Sequence, residues 1–358
     1  MLGRNPALSK AEIYSYLKVH ELNFSEFLFQ DNLLILDFKE DPKLDVQEFG
    51  GVIMLGRILF SGTKKDLLEY IKKEELIPED KFTFNVLGNY NIEQELYDKF
   101  KSEKKKVMLR HGRGEIKIQG EDPIALSNAD FHFFCLKHNK TYFGLVEQEY
   151  SYVDVKKRDM AKPFRREALA ISPRLSKILI NLAQLKTGDT MLDPFCGIGG
   201  ILQEALVKGI NVYGIDKDKV AITAAEKNLE WLKKHYKTAN YELRSTDARN
   251  SPEIGFDGIV SESSLGELIR GKPSDYEAKE FILKFEDNII PILQRLRKVK
   301  KPEAKIAITF PFIKKFFVDV VKITRLSGLR LYSFDDISFP IREFREDQRV
   351  SREIFVFV

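Results

Sequence analysis

The chain has 358 residues, 43% of them hydrophobic and 31% charged, a balance that excludes a disordered or membrane-embedded protein and leaves room for two or three domains. No apolar run approaches the ~18 residues needed to cross a bilayer, and the N-terminus lacks an apolar signal stretch. Two cysteines, Cys135 and Cys196, and five scattered histidines exclude a disulfide framework and argue against a Cys/His metal site, so no metal and a cytoplasmic location are expected.

The net charge of +4 is unevenly spread. Residues 101–118 carry a net +5 through Lys101, Lys104, Lys105, Lys106, Arg110, Arg113 and Lys117 against Glu103 and Glu115. Residues 156–167 carry a net +4 through Lys156, Lys157, Arg158, Lys162, Arg165 and Arg166 against Asp159 and Glu167. Clustering of this kind suits a polyanion, with solvated faces as the plain alternative.

In chain order, Ser9 and Glu12 read as a capping box for a helix running towards Val19. Strand-like pieces follow at Phe27–Phe38, Val52–Phe60, Phe82–Leu87, Val107–Leu109, Ile116–Ile118 and Tyr142–Glu147, with helix-like pieces at Lys64–Lys73 and Ile92–Lys101. This mixture predicts a small α+β unit over 1–150. Residues 151–171 read as a basic linker. Ser172 and Pro173 then open a helix through Leu185 as N-cap and first helical residue.

From there strands and helices alternate: Thr190–Phe195, helix 200–208, Asn211–Ile215, helix 219–236, Tyr241–Ser245 and Phe256–Ser261. A helical stretch over Asp275–Lys300 contains Pro291, which predicts a kink or a break. Strand Lys305–Phe310, helix Lys314–Leu326 and a closing pair near Leu329–Ile337 and Glu353–Val358 complete the chain. The alternation over 172–358 predicts an α/β, Rossmann-like domain with a seven-stranded sheet.

Asp193-Pro-Phe-Cys196-Gly197-Ile-Gly199-Gly200 lies between the first strand of that domain and its helix. The glycines allow close backbone approach to a ligand, and the helix aims its N-terminus at the same spot. Asp216, at the end of the next strand, is placed to accept ribose hydroxyls. A dinucleotide fingerprint wants glycine where Leu202 stands. Asp193 repels a pyrophosphate but attracts an ammonium, so S-adenosylmethionine is the expected cofactor, with a nucleotide as the alternative. Cys196 has no histidine nearby in sequence and reads as packing within the turn.

These residues resemble the tRNA guanine-N2 methyltransferases that carry an N-terminal THUMP module. The matching stretches are Leu2–Ser9, Arg158–Arg166, Ser172–Leu182, Asp193–Gly200 with the following Ile-Leu-Gln-Glu204, and Lys227–Leu232. The resemblance is specific in the C-terminal half and loose between about residues 40 and 150. It implies that Asp193, Cys196, Gly197 and Gly199 hold the methionine part of the cofactor, Asp216 the ribose, and Asp247 and Ala248 the adenine. It also implies a THUMP-like RNA-binding region before the methyltransferase domain, and tRNA as substrate, methylated on the N2 amine of a guanosine at position 10. Lys104, Lys105, Lys106, Arg110, Arg113, Lys157, Arg158, Arg165 and Arg166 would then meet phosphates.

One segment departs from the family. After the fourth strand the family has Asp or Asn, two prolines and an aromatic, whose acceptors orient the amine while the ring stacks on the base. Here the segment reads Ser261-Glu262-Ser263-Ser264-Leu265-Gly266. Glu262 can accept an N–H and Ser263 can offer its carbonyl, but the prolines and the ring are absent; Phe310 or Phe312 would have to supply the stacking face. An active enzyme using Glu262 is expected. A catalytically impaired or partner-dependent RNA-binding homologue, or a methyltransferase for an rRNA or DNA base, stays open, as does an activating protein partner. Arg342, Arg345, Arg349 and Arg352 read as a loop that either lines the entrance or is merely solvated.

Overall fold

A computed structural model describes residues 1–110, 128–165, 171–263, 273–334, 336–343 and 350–358. Helix α1 (Pro6–Val19) precedes a hairpin of β1 (Phe24–Gln30) and β2 (Leu33–Phe38). Next come β3 (Met54–Gly62), α2 (Lys64–Lys73), β4 (Lys81–Leu87), α3 (Glu93–Ser102), β5 (Lys106–Leu109), β6 (Phe131–Lys137) and β7 (Thr141–Glu149). These five strands form a sheet in the order β3-β7-β6-β4-β5. Leu67 of α2 and Leu96 and Phe100 of α3 pack with Phe84, Phe133 and Phe143 of that sheet as a core of its own.

Helix α4 (Tyr152–Met160) leads to α5 (Pro173–Leu182), β8 (Thr190–Asp193), α6 (Gly200–Val207), β9 (Asn211–Asp216), α7 (Lys219–His235), β10 (Tyr241–Ser245) and β11 (Phe256–Glu262). The chain continues through α8 (Asp275–Val299), β12 (Lys300–Phe312), α9 (Val320–Ser327), β13 (Ser333–Phe334), β14 (Ile337–Ser338), β15 (Ile341–Glu343) and β16 (Ser351–Phe357). The main sheet has seven strands in the order β10-β9-β8-β11-β12-β16-β15. All neighbours are parallel except β16, which is antiparallel to both β12 and β15.

Each face of this sheet is covered, as buried parallel strands require. On one face Leu179, Leu202 and Leu229 pack with Val260 and Ile354, together with Leu8, Leu17, Phe49 and Val52 from the start of the chain. On the other face Leu293 of α8 and Ile323 of α9 pack with Ile259, Ile308 and Phe355. Among the described residues no helix is long and apolar enough to cross a membrane.

Several local expectations are corrected. The cap of α1 is Asn5, whose side chain accepts from the Leu8 N–H, with Pro6 in the first turn. Ser9 and Glu12 lie inside the helix and cap nothing. The stretch expected as one strand at Phe27–Phe38 turns at residues 31–32 into two. Strand β6 carried no sequence expectation, and Ile116–Ile118 lies outside the described residues. Packing divides the expected 1–150 unit: residues 2–52 share a core with the C-terminal half, whereas Leu59–Leu145 enclose a separate one. The expected linker over 151–171 contains α4, capped by Ser151.

Helix α8 runs unbroken through Pro291 because that turn faces solvent, where water can satisfy the carbonyl released at Asp287. Helix α9 starts at Val320 because Asp319 accepts from the Lys322 N–H. The expected closing pair forms at its first residues, where Leu331 bridges Phe357 and Tyr332 N–H donates to Val356 O at 2.8 Å; β13 and β14 then make a two-stranded ribbon of their own, and β15 joins β16 at the edge of the main sheet.

The start of the chain is locked by one buried carboxylate. Glu12 accepts from Gly50 N–H at 2.6 Å, Gly51 N–H at 2.7 Å and Asn181 Nδ2 at 2.8 Å. A Cβ at Gly50 would lie 1.9 Å from the Arg174 carbonyl, so glycine is required by the close approach to α5. Glu12→Ala strands two buried N–H groups and is expected to lower the unfolding free energy by about 3 kcal/mol in urea titrations, with Glu12→Gln intermediate.

Candidate active site

Strand order reverses at β8, with β9 and β10 on one side and β11 and β12 on the other. The crevice beyond the carboxyl ends of strands at such a point is where open α/β sheets bind ligands. Three acids end the strands there: Asp193 on β8, Asp216 on β9 and Glu262 on β11.

The glycine turn after β8 is pinned by β9. Cys196 N–H donates to Ile215 O at 2.9 Å, Gly197 N–H to Asp216 Oδ2 at 2.9 Å, and Gly199 N–H to Cys196 O at 2.8 Å. Gly197 and Gly199 have φ of +51° and +86°, the left-handed region that glycine enters without penalty. A Cβ at Gly197 would meet no atom within 4 Å, so the turn borders open space ahead of α6. Cys196 is buried, and burial raises its thiol pKa, which fits packing rather than nucleophilic chemistry.

Asn228 on α7 fastens this turn to the basic segment. Its amide donates to Ile198 O at 2.9 Å and Phe164 O at 3.1 Å, and its carbonyl accepts from Phe164 N–H at 2.9 Å. Sequence reasoning gave Asn228 no role. The available signal was a polar residue beside Ala225 and Leu229 on a face otherwise apolar.

Asp193 is buried and accepts from Ser261 Oγ at 2.5 Å and Phe195 N–H at 3.1 Å. Burial pushes its pKa up to about 7, against the lowering effect of those two bonds, and Asp216 and Glu262 add repulsion. The crevice is therefore short of positive charge. A ligand bearing an ammonium and a sulfonium fits this donor set, and a pyrophosphate does not. Asp247, beyond β10, accepts from Arg249 Nε and a terminal guanidinium nitrogen, both at 2.8 Å, and that pairing lowers its pKa to about 2. Ala248 beside it is buried.

Glu262 is nearly buried, and its Oε1 accepts from Arg352 Nε. Desolvation raises its pKa, with Arg352 opposing. Ser263 is held by two bonds to one carbonyl, its N–H reaching Thr309 O at 3.3 Å and its Oγ the same atom at 2.6 Å. Ser264, Leu265 and Gly266 lie outside the described residues. Phe310 is fully buried among Phe285, Phe355 and Phe357, so it offers no face to a base; Phe312 stacks on Phe317.

Burial sorts the basic residues. Lys104, Lys106, Arg110, Lys157 and Arg165 are exposed. Lys105 is not: its Nζ donates to the Ile77 carbonyl inside the protein. Arg158 is not either, because its Nε and a terminal nitrogen form a buried fork with Glu204 at 2.9 and 2.8 Å. Both expectations of phosphate contact are corrected, since a buried, paired cation cannot meet RNA. Arg113, Arg166, Arg345 and Arg349 lie outside the described residues, and Arg352 belongs to β16 rather than to a loop.

The sheet order, the glycine turn and the acidic crevice define an S-adenosylmethionine-dependent methyltransferase domain. Residues 161–277 match the UPF0020 family, the RMKL-like methyltransferase domain. A tRNA (guanine(10)-N2)-dimethyltransferase of Methanothermobacter thermautotrophicus is 33% identical over 137 residues, 37% of this chain and 40% of that protein. One of the same name from Pyrococcus abyssi is 27% identical over 273 residues, 74% of this chain and 77% of that protein. The chain thus aligns with less than half of the first relative and with most of the second. TrmN from Thermus thermophilus shares the fold, with a TM-score of 0.50 at 14% identity, over 99% of this chain and 97% of that one. Residues 161–277 are thus similar to the RMKL-like methyltransferase domain, and the chain is similar to proteins named tRNA (guanine(10)-N2)-dimethyltransferase.

The charge state of Asp193 gives opposite effects on stability and binding. Without cofactor the folded protein keeps this proton up to about pH 7, whereas an ordinary aspartate releases it near 3.8. Its contribution to stability is therefore full in acid and is lost as pH rises through about 7. Asp193→Asn keeps the acceptor for Ser261 and Phe195. In melting curves at about pH 8 it is expected to stabilise the apoprotein by a few degrees, a gain that vanishes in acid. In calorimetric titration the same variant is expected to bind S-adenosylmethionine at least about tenfold more weakly.

Proposed function

We propose that this protein methylates tRNA at the N2 amine of guanosine 10, in the cytoplasm, with S-adenosylmethionine as donor. The observation that carries the reading is Glu262, a carboxylate at the end of β11 beside the acidic crevice. Similarity to proteins named tRNA (guanine(10)-N2)-dimethyltransferase supports the substrate and the position.

When bound, S-adenosylmethionine supplies an electrophilic methyl group on a sulfonium that departs as a neutral thioether. The protein's part is orientation. The N2 lone pair is delocalised into guanine and is a poor nucleophile. Glu262 accepts one N–H and the Ser263 carbonyl the other, turning the lone pair out of conjugation and towards the methyl carbon. Burial raises the Glu262 pKa, which suits it to take the proton that the methylated nitrogen releases. The exposed Lys104, Lys106, Arg110, Lys157 and Arg165 hold the phosphate backbone, and the sheet of β3–β7 with its helices serves as a THUMP-like RNA-binding region.

Two measurements test this. With enzyme in excess over unmodified tRNA and labelled S-adenosylmethionine, the product nucleoside is expected to be N2-methylguanosine, reduced about a hundredfold or more by Glu262→Ala. RNA and cofactor binding without any methylated nucleoside would instead favour a non-catalytic or partner-dependent homologue. Separately, log affinity for tRNA should fall linearly with log salt, and Lys104→Ala with Lys106→Ala should make the slope shallower by about one to two. Lys105→Ala is expected to lower stability and leave the slope unchanged.

A further inference from the structure

The first residues of β16 reach the transfer site from two strands away. Glu262 pairs with Thr309 on β12, and Thr309 with Ile354 on β16. Paired residues share a face, and Arg352, two positions before Ile354, shares it too. Its guanidinium spans to Glu262 Oε1, with 9% of the arginine side chain and 12% of the glutamate side chain exposed. No second hydrogen bond to the Glu262 carboxylate is found among the described residues.

The charged groups around Glu262 come from three directions. β8 brings Asp193, whose pKa is pushed up to about 7, with the Asp216 carboxyl of β9 beyond it. β16 brings Arg352. β15 brings Glu343, which pairs in register with Arg352 and is itself held by Arg4 and by Asn5 Nδ2 at 3.0 Å. Glu353, the next residue of β16, is turned to the opposite face and paired with Arg342 at 3.3 Å. Among the described residues Arg352 is therefore the cation paired with Glu262 beside these acids. A buried carboxylate without it would take up a proton and lose its fixed direction.

We infer that Arg352 is the positioning residue of the transfer site, holding Glu262 by one oxygen so that the other meets the substrate amine. This rests on Glu262 being the amine acceptor. The pair supplies what two prolines would give by backbone stiffness, in a chain that has Ser263 and Ser264 at those positions. An arginine suits the task because its planar fork fixes a carboxylate in direction as well as in charge, which a lysine does not.

The test is kcat against pH at saturating cofactor and tRNA, for wild type, Arg352→Gln, Arg352→Lys, Glu262→Ala, Glu262→Gln and the Glu262→Gln/Arg352→Gln double variant. Melting curves and cofactor titration serve as controls for folding. Arg352→Gln is expected to lower kcat by about tenfold or more, to change KM for tRNA by less than about threefold, and to move the acid limb to higher pH by about one unit or more. Arg352→Lys is expected to return the limb towards wild type while kcat stays at least about threefold low. In the Glu262→Gln background, replacing Arg352 should shift no limb. A wild-type limb and kcat in Arg352→Gln, beside an impaired Glu262→Gln, would overturn the inference and leave the Glu262 reading standing. Full activity in Glu262→Ala, which leaves no acceptor, would remove that reading, and the inference with it. Should Arg352→Gln fail to fold, an Arg352→Lys enzyme identical to wild type in kcat would overturn the inference.

Discussion

Carboxylates gathered at adjacent strand ends inside a protein repel one another and lose hydration at the same time. The crevice beyond β8, β9 and β11 holds three of them, and each is managed differently. Asp216 is used by the backbone, accepting from Gly197 and Asp218 N–H and so shaping the glycine turn. Glu262 is neutralised by Arg352. Asp193 has two neutral donors and, among the described residues, no cation paired with it, and its pKa rises to about 7. A cationic ligand in this crevice would favour the ionised form of Asp193 and be held by it. Much of the surrounding architecture, from the left-handed glycines to the Asn228 clamp, keeps these acids and the turn in one place.

What was legible in the sequence followed from period and punctuation. The alternation of strands and helices beyond residue 172, the cap at Ser172 and the glycine turn all have local causes, and the elements from β8 to β11 emerged within a residue or two. Features set by tertiary packing were not legible. Ser9 and Glu12 match a capping box in spacing, but Asn5 and Pro6 start the helix earlier and leave Glu12 to be buried against Gly50 and Gly51. The pairing of residues 2–52 with the C-terminal core depends on shapes brought together across the chain. β15, three residues long, joins the sheet through β16 and has no periodic signature to read.

The basic residues show the same limit more sharply. Lys104, Lys105 and Lys106 are identical by composition, yet the middle one points inward to the Ile77 carbonyl while its neighbours are exposed. β5 begins at Lys106, and the left-handed backbone at Lys104, with φ of +63°, turns the chain just before it. Arg158 sits in a charge-rich window, but it falls on the inner side of α4 facing Glu204. A run of charge reports a likely surface only until a helix or strand decides which side chains face out.

Orientation at a transfer site can be built into the backbone or into side chains, and the two differ in what they tolerate. A proline pair fixes a carbonyl through restricted φ, with no dependence on protonation or on distant strands. An ion pair between β11 and β16 fixes a carboxylate only while both partners stay charged and the intervening β12 keeps its register. The arrangement therefore couples Glu262 to the β15–β16 edge of the sheet. β15 extends that coupling, because Glu343 lies beside Arg352 in register and is bound by Arg4 and Asn5 from the start of the chain. Glu262, Arg352, Glu343, Arg4 and Asn5 thus lie along one polar row. A carboxylate held this way depends on β12, β15 and β16 keeping their register, a dependence that a proline-built turn does not have.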